Sequence, residues 1–253
     1  MPNNHSTMPN ILDQLQQAKT DGQKKFVVLI DPDKVRLGNM DQVLELAVEA
    51  KVDYFFIGGS LIVNNALDQC LLAIKERCHI PMILFPGSSL QLSYKADAIL
   101  FLSLISGRNP DLLIGNHVIA APYLKLSPLE IMPTGYMLMD GGAPTSVLYM
   151  SNTRPIPTHK DDIAVCTAMA GEMLGLRLMY MDAGSGAQVP VPEHIIESVS
   201  GALRIPLIVG GGIRTPEKAA QNVAAGADVI VVGNAIEKDP GLVREMAAAV
   251  HAG

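Results

Sequence analysis

Tryptophan is absent from this chain of 253 residues, and aromatic side chains of any kind make up 4% of it. A core must then be assembled from Val, Ile, Leu, Met and Ala, with the 13 methionines filling gaps. Cysteine is also scarce. Cys70, Cys78 and Cys166 form no C-x-x-C pair and have no histidine at ligand spacing, so they read as small hydrophobes rather than as disulfide or metal ligands. The six histidines are scattered, again without ligand spacing. No basic tract occurs: 19 Lys and Arg face 25 Asp and Glu, a net charge of −6, which argues against a nucleic-acid partner. No apolar run approaches the ~18–20 residues of a membrane span, so stable membrane insertion is not expected. Met1 to Asn10 has neither the charged nor the apolar region of a signal peptide, which makes the cytoplasm the expected compartment. What is abundant is aliphatic: hydrophobic residues are 49% and charged residues 17%, enough to fill a large core and to exclude disorder.

Short β-branched runs alternate with longer amphipathic segments along the chain. Strands are predicted at Phe26–Ile30, Tyr54–Ile57, Met82–Phe85, Ala98–Leu102, Thr134–Met139, Leu178–Met181, Pro206–Val209 and Val229–Val232. Their nearly continuous apolar character is that of parallel strands buried on both faces. Helices are predicted at Met40–Ala50, Leu61–Arg77, Pro110–Pro122, Lys160–Leu174, Glu193–Ser200, Pro216–Ala225 and Pro240–His251. Thr215-Pro216 has the form of an N-cap followed by proline at the first helical position. Gly87–Ala96 breaks the pattern, being short and poorly periodic. Eight strands alternating with helices, without a linker, predict an α/β fold: a single (β/α)8 TIM barrel over residues 1–253, with one irregular unit near 87–96 and a flexible tail at 1–8. An open doubly wound sheet is the other architecture of this pattern and usually has fewer strands.

Barrels place their chemistry at the C-terminal ends of the strands. Reading those ends in turn gives Asp31, Gly58-Gly59-Ser60, Pro86-Gly87, Ser103, Asp140-Gly141-Gly142, Asp182 to Gly186, Gly210-Gly211-Gly212 and Gly233-Asn234. Glycine lets backbone N–H groups approach an anion, and turns after the seventh and eighth strands are where barrels commonly hold phosphate. Gly211, Gly212, Gly233 and Asn234 are therefore expected to bind a phosphate, with Gly184-Ser185-Gly186 closing over it. Tight βα turns alone are the competing explanation. On the first two strands, Asp31 and Ser60 offer hard oxygens suited to Mg²⁺, although Asp31-Pro32 also reads as a turn. Asp182, beside the glycine cluster, is the candidate general base. Asp140 reads equally as a turn-former and as a catalytic acid.

The motifs also resemble a known family. Ile30-Asp31-Pro32-Asp33-Lys34, Ile57-Gly58-Gly59-Ser60, Asn116-His117-Val118-Ile119, Tyr123-Leu124-Lys125, Thr134-Gly135-Tyr136 with Asp140-Gly141-Gly142, and Tyr180-Met181-Asp182-Ala183-Gly184-Ser185-Gly186 occur in the order found in geranylgeranylglyceryl phosphate synthases. Val209 to Arg214 and Val232 to Ala235 follow, though many phosphate-binding barrels share those two. The chain is most similar to the larger-type archaeal and bacterial members. The resemblance implies an Mg²⁺-dependent prenyltransferase of lipid biosynthesis. It joins the 3-hydroxyl of sn-glycerol 1-phosphate to C1 of a prenyl diphosphate, geranylgeranyl diphosphate above all. It further implies that Asp31 and Ser60 hold the metal. Tyr180, Met181, Asp182, Ala183, Gly184, Ser185, Gly186, Gly211, Gly212, Gly233 and Asn234 would hold glycerol phosphate, with Asp182 taking the proton. Many members have Glu at that last place, and Asp is one methylene shorter. Leu90, Leu92 and Tyr94 are candidates for an apolar wall along the prenyl tail. Aliphatic barrel helices commonly pair, so a homo-oligomer is expected. The rival enzyme is a sugar-phosphate isomerase with Asp31 and Asp140 as its acid–base pair across the barrel.

Overall fold

The computed structural model describes residues 10–33, 37–64 and 66–253. The expected flexible tail, residues 1–8, and Lys34 of the first motif lie outside them. Parallel strands β1 (Lys25–Ile30), β2 (Tyr54–Ile57), β3 (Met82–Leu84), β4 (Ala98–Leu104), β5 (Glu130–Leu138), β6 (Leu178–Asp182), β7 (Leu207–Gly210) and β8 (Val229–Val232) close into one barrel in sequence order, β8 pairing with β1. The predicted (β/α)8 architecture is therefore the observed one.

Alternation along each strand divides the core in two. Inward residues such as Val27, Phe56, Ile83, Leu100, Tyr136, Tyr180, Ile208 and Val231 fill the barrel. Their outward neighbours, among them Phe26, Val28, Ile57 and Met181, pack under the helices. The helices are α1 (Ile11–Thr20), α2 (Leu37–Glu49), α3 (Leu67–Lys75), α4 (Asn116–Lys125), α5 (Ser146–Ser151), α6 (Asp161–Met173), α7 (Glu193–Ala202), α8 (Pro216–Ala224), α9 (Asn234–Lys238) and α10 (Leu242–His251). A π-helical turn, Asp111–Gly115, leads into α4, and Pro122 lies inside that helix. Thr215 caps α8 by accepting the Lys218 N–H, with Pro216 at its start, as its sequence indicates.

The sequence pattern places α3 too early. The Asp33 carboxylate accepts the N–H groups of Val63 (2.5 Å) and Asn64 (3.2 Å), which keeps that stretch out of the helix until Leu67. No helix joins β3 to β4, in line with the poor period of Gly87–Ala96.

Carboxylates organise the N-terminal end of the barrel. Asp53, Asp97 and Asp228 each stand one residue before an even-numbered strand and accept a strand N–H from its predecessor, at Phe26 (2.8 Å), Met82 (2.8 Å) and Leu207 (2.9 Å). Helix α1, which the alternating pattern does not reveal, closes this end. Ile11, Leu12 and Leu15 enter the interior cluster, and the Glu130 carboxylate accepts the N–H groups of Ile11 and Leu12 at 2.7 and 2.8 Å. A carboxylate on otherwise unpaired amides at a helix N-terminus is favoured by charge and by hydrogen bonding. With that end sealed, access is from the opposite rim.

Candidate active site

A cleft of about 480 Å³ opens at the C-terminal ends of the strands. Asp31 (β1), Ser60 (β2), Tyr180 and Asp182 (β6), Gly184 to Gly186, Gly211 and Gly212 (β7), and Gly233 and Asn234 (β8) all border it. The residues expected for metal and for phosphate thus share one continuous cleft rather than two separate sites. Met181 does not face it: the period of two along β6 turns that side chain outward into the helix layer. Ala183 is buried, and its N–H donates to the Gly210 carbonyl at 3.2 Å, so it shapes the turn through its backbone.

The glycine turns are held close to one another. Gly211 has φ +79°, and a Cβ there would stand 2.4 Å from Asp182 Oδ1 and 2.6 Å from the Ala183 nitrogen. Only glycine combines that backbone conformation with that approach. Across the cleft, Asn234 Nδ2 donates to Ser185 Oγ at 3.3 Å, tying the β8 turn to the β6 turn. Arg214 adds a further tie, donating from Nη2 to the Ala187 carbonyl at 2.6 Å. Small turns rich in backbone N–H groups, drawn from three adjacent strand ends, are chemically suited to cradle a phosphate.

Asp182 is 7% exposed at the head of β6. Its Oδ2 accepts the Tyr136 hydroxyl at 2.5 Å and its Oδ1 accepts the Gly184 N–H at 2.8 Å. Burial pushes the carboxyl above its ordinary value, while these two hydrogen bonds pull it back down. Burial and the Asp182 charge drive the Tyr136 hydroxyl well above 10, so it stays a donor. A carboxylate of raised basicity at the cleft floor suits proton abstraction. Tyr136 is the partner that residue spacing did not single out as a site residue, although it lies in a quoted motif.

Asp31 is 8% exposed, and its Oδ1 accepts the Asp33 N–H at 3.1 Å. A Cβ on Gly59 would lie 3.2 Å from Asp31 Oδ2, so the β2 turn rests against this carboxylate. Among the described residues no group of three or more His, Cys, Asp or Glu side chains could cage a metal. A carboxylate and a hydroxyl on one cleft wall instead supply a partial shell of hard oxygens. That donor set fits Mg²⁺, which takes one or two protein ligands and completes its shell with water and substrate phosphate oxygens.

A second, apolar groove of about 170 Å³ adjoins the cleft, and Phe85 and Ser60 border both. It runs between the helix-free β3–β4 connection and α4, past Leu92, Phe101, His117, Ala120 and Leu124. At its junction with the cleft, Phe85, Tyr136 and Tyr180 form an aromatic cluster with ring centroids 5.4–5.9 Å apart. Of the three expected wall residues only Leu92 lines the groove; Leu90 is 91% exposed and Tyr94 50%.

Asp140 corrects the isomerase alternative. It is exposed, its Oδ1 accepts the Gly142 N–H at 3.0 Å, and it does not border the cleft. It is a turn-former. The residues left to act are those of a barrel whose site is half glycine-rich turns able to receive an anion and half apolar groove.

Comparison with known proteins narrows that class. The PcrB family model matches residues 19–252, and the chain belongs to this family. Its relatives include the geranylgeranylglyceryl phosphate synthases of Chitinophaga pinensis, 59% identical over 92% of this chain and 93% of that protein, and of Thermococcus gammatolerans, 43% identical over 85% of each. The resemblance read from the motifs is thereby borne out. Among solved structures, (S)-3-O-geranylgeranylglyceryl phosphate synthase from Thermoplasma acidophilum, in complex with its substrate sn-glycerol-1-phosphate, superposes with a TM-score of 0.91. It is 34% identical, the match covering 97% of this chain and 100% of that one. No helix among the described residues is long and apolar enough to cross a membrane.

Proposed function

We propose that this protein joins the 3-hydroxyl of sn-glycerol 1-phosphate to C1 of geranylgeranyl diphosphate, forming an ether lipid precursor and releasing diphosphate. The observation that carries this reading is the meeting of an apolar groove with a glycine-rich anion cradle beside a buried carboxylate, at Phe85, Tyr136 and Asp182. An isomerase of small sugar phosphates has no use for the groove. The binding of sn-glycerol-1-phosphate by the Thermoplasma relative supports the same assignment.

In this reading the turns after β6, β7 and β8 hold the glycerol phosphate through backbone N–H groups, with Ser185 and Asn234 closing over it. The groove takes the prenyl chain and leaves its diphosphate end at Asp31 and Ser60. Asp31 and Ser60 would hold Mg²⁺ there, and the ion would supply positive charge against the departing diphosphate. Asp182 accepts the proton as the 3-hydroxyl oxygen forms its bond to C1, while the electron pair of the breaking C1–O bond leaves with diphosphate. A positioned base of this kind contributes on the order of 10²–10⁴ in rate. We propose further that the protein works in the cytoplasm as a homo-oligomer; its net charge of −6 without a basic tract supports a role apart from nucleic acid.

The test is incubation with sn-glycerol 1-phosphate and labelled geranylgeranyl diphosphate, with and without Mg²⁺, following label into an organic-soluble ether. Product that requires Mg²⁺ and disappears in Asp31→Ala is expected. Absence of ether with every prenyl length offered would overturn the transferase reading.

A further inference from the structure

The helix-free segment between β3 and β4 lines the groove where it adjoins the cleft, and one buried amide fastens it. Gln91 lies on this loop yet is only 7% exposed. Its Oε1 accepts the Gly87 N–H at 2.9 Å, and its Nε2 donates to the Gly59 carbonyl at 3.1 Å. Gly87 is on the rim of the groove, whereas Gly59 precedes Ser60 and rests against the Asp31 carboxylate. Between these points the two loops meet backbone to backbone. A Cβ on Gly87 would stand 2.4 Å from the Gly59 oxygen, and one on Gly58 would stand 2.1 Å from the Phe85 oxygen. The Phe85 N–H donates to the Ile57 carbonyl at 2.9 Å where the two strands end, and beyond that point Gln91 supplies one polar contact to each loop.

The far end of the segment is anchored separately. Ser93 Oγ donates to Asp68 Oδ1 at 2.6 Å, Lys95 pairs with the same carboxylate, and the Tyr94 hydroxyl donates to the Tyr123 carbonyl at 2.9 Å. Loss of Gln91 therefore leaves these anchors in place and loosens the segment only at Gly87, beside the Phe85–Ile57 backbone hydrogen bond. We propose that Gln91 is a positioning residue that locks the groove rim to the Asp31–Ser60 wall, so that filling the groove with a prenyl chain and seating its diphosphate are coupled. This rests on the transferase reading. A side chain that merely satisfied its own loop would stabilise the fold without favouring one substrate.

Gln91→Leu removes both hydrogen bonds at similar volume. Gln91→Glu keeps the acceptor for Gly87 and sets a carboxylate oxygen against the Gly59 carbonyl. Calorimetry on the whole chain would follow inorganic diphosphate as Mg²⁺ is raised, then geranylgeranyl diphosphate at fixed Mg²⁺. Steady-state KM would be measured for both substrates. Both variants are expected to need more Mg²⁺ to bind diphosphate and to bind geranylgeranyl diphosphate about tenfold more weakly, the scale of one or two lost buried hydrogen bonds. KM for glycerol phosphate should stay within about twofold, because the far cradle is untouched. An unchanged Mg²⁺ requirement, or equal losses for both substrates, would overturn the role of Gln91. A wild-type chain that binds neither diphosphate compound would overturn the transferase reading and this inference with it.

Discussion

The Tyr136 hydroxyl donates to Asp182 Oδ2 at 2.5 Å, from a position where β5 and β6 run side by side with Leu138 opposite Asp182. This hydrogen bond lowers the basicity that burial of Asp182 raises. In Tyr136→Phe the carboxyl should therefore titrate higher than in the wild type. Activity that needs the ionised carboxylate rises with pH through this value, so the acidic limb of kcat against pH should move upward. Loss of the positioned donor should also lower kcat at neutral pH by about 10–100-fold. A pH–rate profile of both proteins checks the two effects together; an unmoved acidic limb would remove Asp182 from the role of base.

Gly211 and Gly186 both adopt left-handed backbone angles, φ +79° and +85°, but only Gly211 is crowded. A Cβ at Gly186 meets nothing within 4 Å, whereas one at Gly211 strikes the Asp182 carboxylate and the Ala183 nitrogen. Gly186→Ala should then cost only the backbone penalty, about 1–2 kcal/mol of stability. Gly211→Ala should displace the base and the cradle together and cut kcat/KM on the order of 10²-fold, as misplacements near 1 Å do. Thermal melts beside steady-state kinetics separate the two variants.

The groove makes a similar distinction between neighbouring leucines. Leu92 borders it and packs against the core, while Leu90 stands in solvent. Leu92→Asp should raise KM for geranylgeranyl diphosphate at least about tenfold, since a carboxylate in an apolar site costs well over 1.4 kcal/mol. Leu90→Asp should leave it unchanged. Equal effects at the two positions would place the prenyl chain elsewhere.

Much of the barrel is legible because its strands are mostly buried on both faces and most end in a residue type that a strand rarely needs. β5 is the informative exception. The strand is expected from Thr134, yet it begins at Glu130 and runs through Pro133, whose carbonyl accepts the Arg177 N–H at 2.8 Å. The site divides in the same way. The glycine turns and Asp31, Ser60 and Asp182 follow from strand ends alone. Tyr136 and Gln91 do not, because their roles come from partners 46 and 32 residues away. A local signal of the register does lie in the sequence: Val52-Asp53-Tyr54, Ala96-Asp97-Ala98 and Ala227-Asp228-Val229 repeat an aspartate immediately before a strand. At the end opposite the cleft, these carboxylates hold the strands in register.

Asp53 lets that last role be measured through pH. Burial alone would raise its carboxyl, but His251 at 2.8 Å, the Phe26 N–H at 2.8 Å and Lys25 at 3.0 Å hold it below its ordinary value of 3.8. The folded chain therefore gives up this proton more readily than the unfolded chain. The stabilisation is fully present above the unfolded value and fades as pH falls through the lower folded one. Asp53→Asn should accordingly melt at a lower temperature than the wild type at pH 7, with a loss of about 1–2 kcal/mol from a weakened half-buried network joining β1, β2 and α10. As pH falls from 3.8 toward the folded value, the two melting curves should converge, because the wild-type carboxyl is then protonated as well. A difference that persists undiminished in acid would assign the effect to packing rather than to charge. Activity at neutral pH should survive the substitution, since the cluster and the cleft lie at opposite ends of the barrel.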